Sequence, residues 1–216
     1  MKKILSALAA VVTVLPFVCV QKASAVSFPL KTTINSESAI MINLDADTVI
    51  HEKNADAKQL PGPLVNIMTA VVCLENCNNL SEEVTINESV YDYLYNTEYP
   101  EDLRFAEIED GDVLSVTDLL YAMMLTSSVE ASETLAYHLT DGNPSKFIDM
   151  MNEKAAQLGL SGTHYSNPVG LHDEQNYTTA DDTYKLASYA LKNSTFAEVC
   201  QSARHPMSAT NMSPAR

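Results

Sequence analysis

The chain has 216 residues, a length that favours a single domain, and 46% of them are hydrophobic while 19% are charged. That balance is sufficient for a hydrophobic core and excludes wholesale disorder. Lysine and arginine number 13 against 28 aspartates and glutamates, so the net charge is −15. We therefore expect no nucleic-acid partner, because nucleic acids bind clustered cations.

The first segment has the pattern of a secretory signal peptide. Lys2 and Lys3 precede an apolar run from Ile4 to Val20, and Ala23-Ser24-Ala25 supplies the small residues that signal peptidase requires. We predict cleavage near Ala25, export to the periplasm or the cell wall, and a mature domain over 26–216 without a transmembrane span. The alternative is an uncleaved N-terminal anchor, which the short apolar run disfavours.

A β-hairpin followed by a buried helix is predicted next. The apolar run from Ala39 to Leu44 predicts a strand buried on both faces, and Thr48 to His51 predicts a returning strand after the turn Asp45-Ala46-Asp47. After a break at Pro61-Gly62-Pro63, apolar residues from Leu64 to Leu74 recur with helical spacing on many faces. This second pattern predicts a helix in the core.

Capping residues mark further helices. Ser115 with Asp118 resembles a capping box, and a break at Thr126-Ser127-Ser128 precedes a helix from Glu130 to Leu139. The remaining predictions are strand and loop excursions over 81–112, a helix that begins at Pro144 and stops at Gly159, a long loop over 160–177, and a helix from Thr179 to about Leu191. Strands followed by several helices predict an α/β or α+β layered protein. Two strands make a marginal sheet, so either the helices bury most of the core or strands are missing.

Four stretches, in order along the mature chain, carry a family resemblance. They are Ala39–Ala57, Pro61–Asn76, Asp118–Ala136 and Met151–Thr179, and the last contains the signature Asn167-Pro168-Val169-Gly170-Leu171-His172. Together they resemble the serine-type D-alanyl-D-alanine carboxypeptidases, the low-molecular-weight penicillin-binding proteins that trim peptidoglycan stem peptides. The resemblance implies a β-lactamase-like or DD-peptidase-like fold, in which a helical cluster packs on an antiparallel sheet, and it makes a stem peptide the expected partner.

The chemistry of this family, as the resemblance implies it, needs three elements. A Ser-x-x-Lys pair at the start of a buried helix supplies the nucleophilic hydroxyl and an amine that takes its proton. A Ser-x-Asn loop supplies a second hydroxyl and an amide for the substrate. A Lys-Thr-Gly strand binds the substrate carboxylate.

All three elements are degenerate in this sequence. The first falls on Pro63-Leu64-Val65-Asn66, which places Pro63 at the nucleophile position and Asn66 at the base position. The second falls on Ser127-Ser128-Val129, where Ser127 is retained and Val129 replaces asparagine. No Lys-Thr-Gly occurs in the 216 residues, and the tail over 208–216 looks like the stretch that precedes it. We therefore expect an incomplete domain that lacks its C-terminal core strands.

These substitutions predict a protein without acyl-enzyme chemistry. Ser127 and Ser128 remain as weak candidates for substrate binding, and neither a cofactor nor a metal is expected. His164 and His172, with Asp173, could suggest a metal site, but a role in ordering their loop is the favoured interpretation. Ordinary packing is favoured for His51 and His138.

Three functions therefore stand as alternatives. The first is an exported, non-catalytic relative that binds stem peptides or another wall protein, because the reactive side chains are lost while the core pattern is intact. The second is an active D-alanyl-D-alanine carboxypeptidase that uses unusual residues or a separately supplied C-terminal part. The third is a truncated fragment without function, whose open strand edge would favour aggregation.

Overall fold

The computed structural model describes residues 33–46, 48–95 and 103–207. The predicted signal peptide, the tail over 208–216 and part of the acidic segment lie outside the described residues. The strands are β1 (Ala39–Asn43), β2 (Thr48–Lys53), β3 (Glu83–Thr85) and β4 (Val113–Ser115). The helices are α1 (Val65–Asn76), α2 (Glu88–Tyr95), α3 (Val116–Thr126), α4 (Val129–Leu139), α5 (Pro144–Gln157), α6 (Ala180–Ala190) and α7 (Ser194–Gln201), with a 3₁₀ turn over Gly62–Leu64 before α1.

The predicted hairpin is confirmed as β1 and β2. The strands pair antiparallel, with Ala39 opposite Lys53, and a register shift between Met41 and Ile42 interrupts the ladder. The expectation that β1 is buried on both faces is wrong, since Met41 is 45% exposed and no residue of β1 is fully buried. Within the described ranges β1 pairs only with β2 and packs against α6, so its second face lies open.

The core is built mainly by the helices, as the low strand count indicates. Helix α1 is the central element and contacts α3, α4, α5, α6 and α7. Eight of its residues are buried, and its first charged residue is Glu75, near its end, so the apolar pattern allows contact on several faces. A second, short antiparallel sheet joins β3 to β4 and buries Val84 opposite Leu114.

The predicted caps are confirmed where the structure shows them. The Ser115 side chain accepts a hydrogen bond from the Asp118 amide at the start of α3, and the Thr179 side chain accepts one from Asp182 at the start of α6. Helix α5 begins at Pro144, as predicted. The prediction of strand and loop excursions over 81–112 missed α2, and α7 was not predicted either. Asn87 Oδ1 accepts a 2.8 Å hydrogen bond from the Ser89 amide at the start of α2, and Asn193 caps α7. Helix α2 is amphipathic, with Val90 and Leu94 buried.

No helix among residues 33–46, 48–95 and 103–207 combines the length and the apolar character that crossing a bilayer requires.

Candidate functional site

The position predicted to hold the nucleophile lies in the 3₁₀ turn that leads into α1. Pro63 is exposed there, and the Leu64 amide donates a 3.2 Å hydrogen bond to the Pro61 carbonyl oxygen. A proline suits this turn, because its fixed φ favours the first residues of a helix. Its ring carries no hydroxyl, amine or thiol, so the side chain at this position has no atom that can attack a carbonyl.

Asn66, at the predicted base position, is 4% exposed and bonded at both ends of its amide. Its Nδ2 donates to the Met123 carbonyl oxygen at 3.3 Å, and its Oδ1 accepts from the Ser132 hydroxyl at 3.3 Å. The side chain therefore ties α1 to α3 and α4. The Asn66 amide is not basic near neutral pH, and both of its ends are hydrogen-bonded inside the protein. Asn66 therefore has a structural role and cannot act as a general base.

The predicted Ser-x-Asn loop forms the junction between α3 and α4. Ser127 is half-buried and adopts the left-handed conformation, with φ 57° and ψ 35°, which ends α3. Ser128 is fully buried, and its Oγ accepts a 3.1 Å hydrogen bond from the Ala131 amide as the cap of α4. Of the two candidate serines, Ser127 is thus the one with side-chain surface for a ligand.

Val129 begins α4 and is buried in an apolar cluster. Its exposed fraction is 3%, and its partners are Val90 and Leu94 of α2 and Val169 and Leu171 of the long loop. Its side chain offers no hydrogen bond to a substrate. The position where the family has a substrate amide therefore contributes to packing in this chain.

Ser132 was not singled out from the sequence. Its hydroxyl lies 3.0 Å from the Ser128 carbonyl oxygen and 3.3 Å from Asn66 Oδ1, so it links the α3–α4 junction to α1. The sequence shows only that Ser132 lies one helical turn after Ser128. That its face of α4 is buried is shown by the tertiary structure alone.

Two glutamates of α4 are also buried and were not predicted as site residues. Glu130 Oε1 accepts a 2.6 Å hydrogen bond from the Ala106 amide, which fixes the loop over 103–109 beside the start of α4. Burial raises the pKa of Glu130, and this effect exceeds the lowering caused by hydrogen bonds such as the one from the Ala106 amide. Glu133 is 1% exposed, and burial raises its pKa to about 8. The Glu133 carboxyl is therefore largely protonated near neutral pH.

The signature loop packs directly on the turn that contains Pro63. The Thr69 hydroxyl of α1 donates a 2.7 Å hydrogen bond to the Pro168 carbonyl oxygen, and Asn167 Oδ1 accepts from the Gly170 amide at 2.8 Å. Gly170, with φ 83°, approaches the backbone of Gly62. The loop thus fixes the entry to α1, which is where the family places its nucleophile.

The two loop histidines, His164 and His172, lie in the loop between α5 and α6. His164 Nδ1 lies 2.6 Å from the Gln175 carbonyl oxygen, and the His164 backbone pairs with Tyr177 across the loop. His172 is exposed. Over the described part of the chain, no three His, Cys, Asp or Glu side chains converge as metal ligands would.

Comparisons with a family model and with individual proteins point to the same family. A family model described as D-alanyl-D-alanine carboxypeptidase matches residues 22–215. A D-alanyl-D-alanine carboxypeptidase of Streptomyces sp. (strain K15) is 35% identical over 175 residues, which cover 78% of this chain and 59% of the relative. The carboxypeptidase DacF of Bacillus subtilis (strain 168) is 28% identical over 159 residues, covering 73% of this chain and 39% of the relative. The chain thus spans less than two thirds of the length of either relative.

Solved structures agree with the sequence comparison. The crystal structure of the Streptomyces K15 DD-transpeptidase superposes with a TM-score of 0.77 and 33% identity, over 87% of this chain and 73% of that one. A D-alanyl-D-alanine carboxypeptidase of Mycobacterium tuberculosis H37Rv gives a TM-score of 0.76 at 23% identity, over 89% of this chain and 69% of that one, which shows the fold alone. The predicted fold class, a DD-peptidase-like α/β fold, is confirmed.

Proposed function

Because the chain belongs to the D-alanyl-D-alanine carboxypeptidase family, we propose that it is an exported, non-catalytic member that binds peptidoglycan stem peptides. Trimming of stem peptides is the activity that the family implies, and the stem peptide is accordingly the ligand that the remaining site would take. The proposal separates binding, which needs a shaped surface, from peptide-bond cleavage, which needs a nucleophile.

The observation that carries the proposal is the pair Pro63 and Asn66. Covalent catalysis requires a hydroxyl or thiol that an adjacent base activates. Pro63 has neither group, and the Asn66 amide is bonded to Met123 and Ser132 in the interior. Loss of the serine nucleophile alone lowers turnover by on the order of 10⁶ in a well-studied serine protease. Both members of the pair are replaced here.

Retention of the surrounding structure supports a binding role. The apolar positions of α1, α3 and α4 remain buried, and the signature loop still holds the turn at Pro63. Unselected drift would damage core positions as readily as reactive ones. Ser127, at the α3–α4 junction, is the retained polar side chain that a stem peptide can reach.

Export is supported by the signal-peptide pattern at the start of the sequence. The pattern consists of Lys2 and Lys3, the apolar run to Val20 and Ala23-Ser24-Ala25, and it supports export to the compartment where peptidoglycan is found. Detection of the mature N-terminus near Val26 in exported protein tests this step. A chain that retains Met1 in the cytoplasm contradicts it.

Labelling with a fluorescent penicillin tests the absence of acyl-enzyme chemistry. A penicillin acylates the nucleophile of an active member of the family, so we expect no labelled band for this protein and a strong band for an active relative run beside it. A stoichiometric covalent adduct on the native chain would overturn the non-catalytic proposal. It would favour the second candidate, an active carboxypeptidase, which the names of the curated relatives suggest.

Binding is tested separately by titration with a stem peptide ending in D-Ala-D-Ala, with the melting temperature of the protein as the readout. We expect a saturable rise, and no rise with the same peptide ending in L-Ala-L-Ala. Ser127→Gly removes the hydroxyl and suits the left-handed backbone, so it should weaken binding without loss of the fold. Ser145→Ala removes an exposed hydroxyl elsewhere and is the matched control. A response that is absent at millimolar peptide, or unchanged by Ser127→Gly, contradicts the binding role.

A further inference from the structure

A polar groove lies at the far end of α4 from Ser127. Its volume is about 430 Å³, and its walls come from β3, the start of α2 and the end of α4. Helix α4 has 11 residues and is about 16 Å long, so the groove is well separated from the α3–α4 junction. A ligand bound there does not touch the surface proposed above for the stem peptide.

The charges around the groove are negative. No lysine or arginine is among its described lining residues, which include Glu83 of β3 and Asp141 just after α4. Both carboxylates are exposed, and in the part of the chain that the structure describes neither forms an ion pair. His138 also lines the groove, and its Nε2 lies 3.7 Å from Glu82 Oε2. The carbonyl end of α4 adds the negative end of the helix dipole, so this surface favours a cation.

The cation that fits is organic. The start of α2 does not attract an anion, because its first amides are already bonded to Asn87: the Ser89 amide to Oδ1 at 2.8 Å and the Val90 amide to the carbonyl oxygen at 3.0 Å. Metal ions need several converging ligands, and no three His, Cys, Asp or Glu side chains of the described residues converge in this way.

Thr134 provides an unused hydroxyl in the wall of the groove. The residue is 2% exposed, and its Oγ1 has no hydrogen-bond partner within the described residues. Buried hydroxyls nearly always have a partner, because an unpaired one costs free energy. Threonine populates two χ1 rotamers in helices, so this hydroxyl can turn to a ligand. Beside it, Val84 and Val90 are 6% and 1% exposed and supply apolar surface for a hydrocarbon chain.

We propose that this groove binds a primary aliphatic amine. An ammonium group has N–H donors and no acceptor, so it supplies the partner that the Thr134 hydroxyl oxygen lacks. Asp141 and Glu83 provide the compensating charge, and the alkyl chain packs on Val84 and Val90. A free diamine and the side chain of a lysine share this chemistry.

Isothermal titration calorimetry of the purified chain with 1,5-diaminopentane tests the proposal. We expect saturable binding of the diamine and none of 1,5-pentanediol, which has the same carbon chain without the charges. Nα-acetyl-lysine amide distinguishes the two sources: tighter binding than the diamine identifies a peptide side chain as the ligand, and weaker binding identifies a free amine. Failure to saturate at millimolar diamine overturns the proposal. Displacement of the diamine by stoichiometric Ca²⁺ also overturns it, in favour of a metal site.

Variants locate the binding in the groove. Thr134→Val keeps the shape of the side chain and removes the hydroxyl, so it should weaken diamine binding by about tenfold. It should not lower the melting temperature of the free protein, since that hydroxyl has no partner to lose. Thr140→Val is the matched control: Thr140 is 3% exposed and bonds to the Ala136 carbonyl oxygen, so its loss should lower the melting temperature and leave binding unchanged.

Asp141→Asn tests the charge. Asparagine suits the left-handed backbone at this position, where φ is 53°, so the variant should fold normally. It should also weaken diamine binding by about tenfold. Binding that either Thr134→Val or Asp141→Asn leaves unchanged overturns the proposal and indicates general attraction of cations to an acidic protein.

Discussion

Gly170 of the signature loop lies directly against Gly62, one residue before Pro63. A Cβ atom on Gly170 would lie 2.6 Å from the Gly62 carbonyl carbon, closer than real Cβ contacts allow. With φ at 83°, Gly170 also occupies a backbone region that side chains rarely adopt. The close approach of the loop to the start of α1 thus requires that residue 170 carry no side chain.

Gly170→Ala should destabilise the fold strongly, and Gly111→Ala provides the control. Gly111 has almost the same φ, 82°, but nothing within 4 Å of an added Cβ, so its substitution measures backbone strain alone. The contact with Gly62 should make Gly170→Ala worse by about 1–3 kcal/mol. Urea denaturation measures the free energy of unfolding of both variants. Equal losses of stability in the two would show that the contact between residue 170 and Gly62 adds nothing to the backbone strain.

Asn66→Leu should destabilise the protein by about 1–3 kcal/mol, because it leaves the Met123 carbonyl oxygen without this donor in the interior. Asn76→Ala is the comparison, since Asn76 is exposed and bonds within its own helix. A double-mutant cycle with Ser132→Ala should show non-additive losses, because the two side chains share a hydrogen bond. Additive losses would mean that Asn66 and Ser132 do not act together.

Glu133 should make stability fall as the pH rises. Its pKa is raised by burial from 4.5 to about 8, so the folded state binds its proton more tightly than the unfolded state does between these values. Stability then decreases by up to about 1.4 kcal/mol per pH unit across that window and levels off above it. Glu133→Gln, which is always neutral, should flatten this dependence in melting curves, whereas the exposed Glu153→Gln should not. A wild-type profile that Glu133→Gln leaves unchanged would contradict the assignment.

Restoring the family residues should not restore catalysis. Pro63→Ser, Asn66→Lys and Val129→Asn together rebuild the first two elements, but the substrate carboxylate still lacks the Lys-Thr-Gly that these 216 residues do not contain. We expect little or no release of D-alanine from a stem peptide. Substantial release would show that the third element is dispensable. Circular dichroism of the triple variant is needed beside it, since Asn66→Lys introduces an ammonium group at a buried position.

The sequence by itself determined what depends on residue type and on short-range pattern. That Pro63 has no attacking atom is a property of proline in any structure. The caps at Ser115 and Thr179 were predictable because each side chain accepts a hydrogen bond from the amide three residues later, and such a short spacing is visible in the sequence. The hairpin and most helices were predictable in the same way, from residues close together in the sequence. Helix α2 was not predicted, although the Asn87 side chain accepts a hydrogen bond from the Ser89 amide at its start.

The tertiary structure decided which polar and apolar side chains are covered. Ser127 and Ser128 are neighbours in the sequence, yet one is half-buried and the other is fully enclosed by elements distant in the chain. Asn66 became a link between three helices because Met123 and Ser132 are brought to it from more than fifty residues away. The expectation for β1 was wrong for the same reason: burial is set by the neighbours that pack on a strand, and its own residues do not specify them.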